Sequence, residues 1–198
     1  MKKLLFITAI VLLGFPSVNA QGVDFGARAG VNFATISSDN FDSFDGRTSF
    51  HIGFVSEIPI CETFSFQPEL IYSSQGSGYS EDSEVTFEGT IKADYLNIPL
   101  MGKYYVAKGF SLEAGPQIGL LLSASDEGEI DGFTYDEDIK EFLKGIDFGV
   151  NFGVGYKLDS GLNFGARYNL GLVDVNDDYE DGGTYKNSVI QAYVGFFF

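Results

Sequence analysis

The chain has 198 residues, with 25 glycines, 20 phenylalanines, 11 tyrosines and no tryptophan. That length fits one domain, and a composition this rich in Gly, Phe and Tyr, with few residues that favour helix, points to strands. A formal net charge of -16 at pH 7 disfavours binding to nucleic acid through its phosphates, and the single cysteine, Cys61, excludes an internal disulfide.

The N-terminus reads as an export signal. Met1-Lys2-Lys3 supplies a positive start, Leu4 to Phe15 is almost unbroken apolar sequence, and Val18-Asn19-Ala20 ends in the small residue that signal peptidase needs. The chain is therefore divided into a cleavable signal peptide over 1–20 and one domain over 21–198. Loss of Lys2 and Lys3 leaves the mature part more acidic still. The apolar run falls short of the roughly 20 residues of a spanning helix, and no later segment reaches that length.

Alternation of apolar with small or polar residues then recurs at 23–33, 49–58, 63–74, 91–105, 110–122, 146–158, 162–172 and 188–198. Period-2 patterning over about 10 to 15 residues is the pattern of tilted membrane-spanning strands and their extensions. It is clearest at Ile146 to Leu158, where Ile146, Phe148, Val150, Phe152, Val154, Tyr156 and Leu158 share one face and Asp147, Gly149, Asn151, Gly153, Gly155 and Lys157 the other. The connections alternate in length: 34–48, 75–90, 123–145 and 173–187 are long and polar, whereas 59–62, 106–109 and 159–161 are short. An even-stranded outer-membrane barrel places its short turns and both termini in the periplasm and its long loops outside. A soluble barrel or sandwich alternates too, with its apolar face inward. Glycine decides between them, because it falls almost wholly on the polar parity (Gly26, Gly30, Gly53, Gly115, Gly119, Gly149, Gly153, Gly155, Gly165, Gly171, Gly195), with Gly102 on the apolar one. Glycine weakens a solvent-facing strand but makes room inside a narrow barrel. The expected fold is all-β, an eight-stranded antiparallel up-and-down transmembrane β-barrel in the outer membrane of a Gram-negative cell, with lipid around it and the barrel assembly machinery as a partner during insertion. Ile190, Val194, Phe196 and Phe198 share the lipid face of the last strand and resemble the C-terminal signal that this machinery reads.

Parity places Asp24, Arg28, His51, Glu57, Glu69, Lys103, Glu113, Asp147, Lys157 and Arg167 inside. Lys92 and Asp94 break the rule at the outer end of their strand. Counting from the turns, Arg28, Glu69 and Arg167 fall near mid-height and Glu57, Lys103, Glu113 and Lys157 nearer the periplasmic end, so two layers of paired charge are expected to plug the lumen.

No catalytic residue, metal ligand or cofactor site is assigned. His51 is the only histidine, and a catalytic histidine would need a nucleophile motif beside it and a lipid-facing position; it has neither. Asp174-Val175-Asn176-Asp177-Asp178 begins like a calcium loop, but Tyr179 replaces the needed Gly and Tyr185 the bidentate Glu. Acidic residues gather in the four long connections, the third holding Asp126, Glu127, Glu129, Asp131, Asp136, Glu137, Asp138 and Glu141. This rim reads first as a solvated surface and second as a diffuse site for divalent cations or a protein partner. Pro59, Pro68, Pro99 and Pro116 lie in or beside strands, where local bulging is expected.

Four segments, in order along the mature chain, carry a resemblance. They are Phe64-Ser65-Phe66-Gln67-Pro68-Glu69-Leu70-Ile71-Tyr72-Ser73; Tyr95-Leu96-Asn97-Ile98-Pro99-Leu100 with Lys103-Tyr104-Tyr105; Leu112-Glu113-Ala114-Gly115-Pro116-Gln117; and Gly165-Ala166-Arg167-Tyr168-Asn169. Together they resemble the PorT-like outer-membrane β-barrel family. The resemblance implies a compact barrel of about eight strands, in a family whose members mostly lack an assigned activity. Asn97 stands where an acidic residue is expected in the second motif, so no ion pair with Lys103 is expected there. A structural or surface-interaction role without catalysis follows. The alternatives are a narrow solute channel, a component of a secretion or envelope-biogenesis assembly with a protein partner, and, ranked last, a lipid-modifying enzyme.

Overall fold

The computed structural model describes residues 22–38, 44–82, 86–130, 132–176 and 184–198. The signal-peptide reading over 1–20 and the rim residues Asp39, Asp42, Glu84, Asp131, Asp177, Asp178, Glu180 and Asp181 lie outside the described residues. The strands are β1 (Asp24–Ser38), β2 (Phe44–Cys61), β3 (Phe64–Asp82), β4 (Thr86–Ala107), β5 (Phe110–Ile130), β6 (Phe133–Asp138), β7 (Ile146–Lys157), β8 (Leu162–Gly171) and β9 (Tyr185–Phe197). Every pairing is antiparallel. The sheet runs β4-β3-β2-β1-β9-β8-β7-β5, and the β4–β5 pairing closes these eight strands into a ring. A closed ring satisfies its backbone hydrogen bonds internally and has no free edge in lipid.

Each expected strand is present, but several run further than hydropathy indicates. The β3–β4 hairpin continues to Asp82 and Thr86, and β5 continues to Ile130, where it pairs with β6. Most of the segments read as long loops at 75–90 and 123–145 are thus sheet standing above the barrel. Once a strand leaves the bilayer both of its faces meet water, so the apolar alternation that marks a spanning strand stops while the ladder goes on.

The molecule is inverted relative to a soluble barrel. Phe50, Ile52 and Phe54 are more than half exposed, while Asn32, Gln67 and Asn151 are fully buried. Turns are tight on the short-loop side, where Gly109 and Gly161 adopt left-handed φ values of 75° and 91° that other residues rarely take.

The proline expectation needs correction. Only Pro59 sits at a register shift, between Pro59 and Cys61. Pro68, Pro99 and Pro116 lie where the register is continuous from Pro68↔Leu100 to Ile71↔Asn97 and from Pro99↔Gln117 to Gly102↔Ala114. A missing N–H deletes one ladder bond, and in these strands the loss is absorbed without an extra residue. A register shift without a proline occurs at Asp94/Tyr95, where the partners jump from Ser123 to Leu121. It marks the point where β4 and β5 leave the barrel wall.

Candidate functional site

The lumen holds the densest chemistry of the protein. Glu69 on β3 receives Arg28 Nη1 from β1 at 3.0 Å, Arg167 Nη1 and Nη2 from β8 at 2.9 Å each, and Gln67 Nε2 at 2.6 Å. Arg167 also donates to Glu113 Oε2 at 3.0 Å. Lys103 lies 3.5 Å from both Glu113 and Glu57, and Lys157 lies 3.3 Å from Glu57 and 2.6 Å from Asp24. Tyr105 donates its hydroxyl to Glu57 as well. Arg28, Glu69, Arg167, Glu113, Lys103, Glu57, Lys157 and Asp24 therefore form one chain of alternating sign and zero net charge. This replaces the two separate layers expected from counting along strands, because Glu113 bridges mid-height and periplasmic groups. The wall is tilted, and register explains the bridge. Lys103↔Glu113, Glu113↔Gly153 and Gly153↔Arg167 are successive partners around the ring, so residues at different counts from their turns share one row. Gly153 is the gap across which Arg167 reaches Glu113.

Tyr193 lies against the same chain. Arg28 Cζ stands 3.6 Å from the centre of its ring, in cation–π range, and its hydroxyl donates to Glu113 at 3.2 Å. Arg28 Nε and Arg167 Nε have no hydrogen-bond partner among the described residues. A cavity of about 10 Å³ lined by Arg28, His51, Glu69, Arg167 and Gln191 has room for one water there.

Above the charges lies an amide layer that periodicity alone does not reveal. Asn32 Nδ2 donates to Ser73 Oγ at 3.0 Å and the Ser74 carbonyl at 2.7 Å, while its Oδ1 accepts Gln191 Nε2 at 3.0 Å. Asn169 donates to Asn151 and Asn151 to Gln117, at 3.1 Å each. Asn187 donates to Asp147 at 2.9 Å and to Tyr95 at 3.3 Å. Ala93, Tyr95, Leu121 and Ala124 then form a small apolar cap, with Ile139 and Leu143 packed on it.

His51 is buried, with Nδ1 2.7 Å from Asn32 Oδ1. It faces the lumen, and its hydrogen-bond partner among the described residues is an amide. Asp174 Oδ1 accepts the backbone N–H groups of Asn176 (3.1 Å) and Tyr185 (2.9 Å). Among the described residues no His, Cys, Asp or Glu group is arranged to hold a metal ion. Ile190, Val194, Phe196 and Phe198 are all about half exposed or more on the outer surface.

A second feature absent from the sequence reading braces the sheet above the barrel. Tyr79↔Gly89, Gly89↔Gly128 and Gly128↔Tyr135 are successive cross-strand partners. The two tyrosines fold over the two glycines until their hydroxyls stand 2.6 Å apart, and Tyr79 also donates to Asp126 at 2.7 Å. A Cβ at Gly89 would lie 2.2 Å from Tyr79 Cζ. Burial, the bond to Tyr135 and the Asp126 carboxylate hold the Tyr79 phenol well above its usual range, so it stays a donor. Tyr-x-Tyr or Gly-x-Gly spacing does not signal this, since the four residues come from four strands.

Solved structures share this architecture. Ail, the attachment invasion locus protein of Yersinia pestis, is similar at a TM-score of 0.52 and 11% identity, covering 87% of this chain and 98% of its own. The same protein in complex with the heparin analogue sucrose octasulfate gives 0.52 and 10%, with 88% and 99% covered. OprG from Pseudomonas aeruginosa gives 0.48 and 12%, with 88% and 95% covered. No curated protein matches the sequence. The sequence of residues 19–177 matches the family described as outer membrane protein beta-barrel domain, so this chain, a closed eight-stranded ring with an apolar exterior, belongs to that outer-membrane β-barrel family of Gram-negative bacteria.

Proposed function

We propose that the protein is a non-catalytic structural or surface-interaction barrel whose lumen is plugged by its own side chains. The observation that carries this is the unbroken ion-pair chain from Arg28 to Asp24, with the amide layer above it. Charged groups at membrane depth are stable when they face an interior and find partners, and eight strands enclose only enough space for side chains to fill. Purified wild-type protein in planar bilayers is expected to show negligible single-channel conductance. Stable open-channel currents that are indifferent to substitutions at Arg28, Glu69 or Arg167 would return the solute-channel reading to first place.

Several finer assignments belong to the same proposal. The four motifs support the PorT-like branch of the family. The exposed Ile190, Val194, Phe196 and Phe198 support recognition by the assembly machinery. The alternation of short turns with long, sheet-bearing connections supports periplasmic termini. Protease added to intact cells should then cut within 34–48, 75–90, 123–145 or 173–187 and spare 106–109; cleavage at 106–109 from outside would invert the orientation. An envelope or secretion protein partner is a further alternative beside the solute channel, and pull-down from native membrane distinguishes it from a stand-alone role.

The acidic rim is proposed to gather divalent cations diffusely, by screening clustered like charge. Calcium or magnesium at constant ionic strength should give calorimetric heat and slow proteolysis of the long connections. Indifference of both measurements would make the rim a solvated surface only.

A further inference from the structure

The charges in the chain from Arg28 to Asp24 cancel, and one luminal carboxylate stands outside it. Asp147, the second residue of β7, faces inward and is 6% exposed. Every Lys, Arg and His after residue 20 is among the described residues, and none of them forms an ion pair with Asp147. The groups that act on its carboxylate are Asn187, whose Nδ2 donates to Oδ2 at 2.9 Å, and the N–H of Phe148. Oδ1 has no hydrogen-bond partner among the described residues. Charged groups buried at membrane depth are paired as a rule. With His counted as neutral, the lumen therefore carries one negative charge more than its own side chains balance.

The surroundings of Asp147 supply oxygen. Asn97↔Gly119 and Gly119↔Asp147 are successive partners on β4, β5 and β7, so the two side chains lie on either side of a glycine. A Cβ at Gly119 would stand 2.8 Å from Asn97 Oδ1 and 3.4 Å from both Asp147 Cβ and Tyr95 Cδ1. The missing side chain thus leaves a notch walled by these three residues. Tyr95 Oη shares a donor with Asp147, since Asn187 Nδ2 lies 3.3 Å from it. Tyr95 also belongs to the apolar cap, with Leu121 and the packed Ile139 and Leu143, so the notch lies at the upper end of the lumen beneath apolar side chains.

We propose that a monovalent metal cation occupies this notch as the counter-charge of the lumen, held by the Asp147 carboxylate with Tyr95 Oη and Asn97 Oδ1 beside it. Carboxylate, hydroxyl and amide oxygens suit a hard cation. Calcium sites gather several carboxylates; here there is one, and the surplus is a single charge, which matches a monovalent ion. The burial of Asp147 leaves no room for an organic ammonium. Bound there, the ion joins β4 to β7 and, through Asn187, to β9, and so fastens the upper end of the barrel under its cap.

Urea unfolding of the mature protein in zwitterionic detergent, in sodium chloride and in choline chloride at equal ionic strength, tests the site. Wild type should be more stable in sodium, and the effect should grow with sodium as one site fills. At a sodium concentration about a hundred times the dissociation constant, the folded-to-unfolded ratio should be about a hundredfold higher than in choline. D147N removes the carboxylate and leaves the acidic rim intact, and it should unfold alike in both salts. G119A fills the notch and should also lose the difference between salts, whatever its absolute stability; it replaces D147N if that variant does not fold. The sodium NMR line should broaden with folded wild type and not with either variant. Equal stability of wild type in both salts overturns the proposal. A sodium effect that survives in D147N and G119A also overturns it, because the ion would then sit in the rim. So does an infrared carbonyl band of a protonated carboxyl in wild type at neutral pH in sodium that is missing from D147N, because the counter-charge would then be a proton.

Discussion

Replacing Glu69 with alanine should lower the unfolding free energy by about 3–5 kcal/mol, the range for removing one partner of a buried charge pair. Glu69 is fully buried and accepts four donors, three of them from two arginines. Among the described residues Arg28 has no other carboxylate partner and would keep the ring of Tyr193. Arg167 would keep Glu113 and, at 5.7 Å, the ring of Tyr193. The loss therefore reflects stranded guanidinium charge more than the attraction removed. E69Q retains the volume and some of the hydrogen bonds, and should fall between wild type and E69A. Urea unfolding in detergent micelles, followed by far-UV circular dichroism and gel mobility, measures both. An unchanged E69A midpoint would show that the chain of ion pairs contributes nothing to holding the barrel closed.

Gly115→Val should be comparably damaging for a steric reason. A Cβ at Gly115 would lie 2.0 Å from the Leu100 carbonyl oxygen and 2.9 Å from Met101 Cα. These are backbone atoms of β4, which faces β5 at this level, and they cannot swing aside as a side-chain tip can. Overpacking commonly costs about 1–3 kcal/mol, and the upper end is expected because relief requires separating two paired strands. Gly145→Ala is the matched control. Nothing lies within 4 Å of a Cβ at that position, so the same assay should register no change. Equal stability of Gly115→Val and wild type would mean that the wall there is looser than its register implies.

The barrel was legible because the membrane imposes a strict rule on each spanning residue. Lipid outside and a crowded interior make parity absolute, so Phe148 against Gly149 or Phe164 against Gly165 is read without any knowledge of neighbours. The same rule placed Arg28, Glu69 and Arg167 inside. It failed where the rule lapses: β6 and the upper parts of β3, β4 and β5 have water on both faces, and their ladder leaves no hydropathic trace.

What the sequence by itself determined, then, is the number of strands in the closed ring, their facing and the inward set of charges, since each depends on period-2 order along one strand. Partner choice across the lumen was decided only by the closed sheet. The tilt of the strands puts Lys103, Glu113 and Arg167 in one row, turning two expected layers into one chain. It likewise brings Tyr79 to Tyr135 over Gly89 and Gly128. Those contacts depend on register between strands far apart in the chain, 98 residues for Glu69 and Arg167 and 133 for Asp24 and Lys157, and register is a property of ring closure that no single segment encodes.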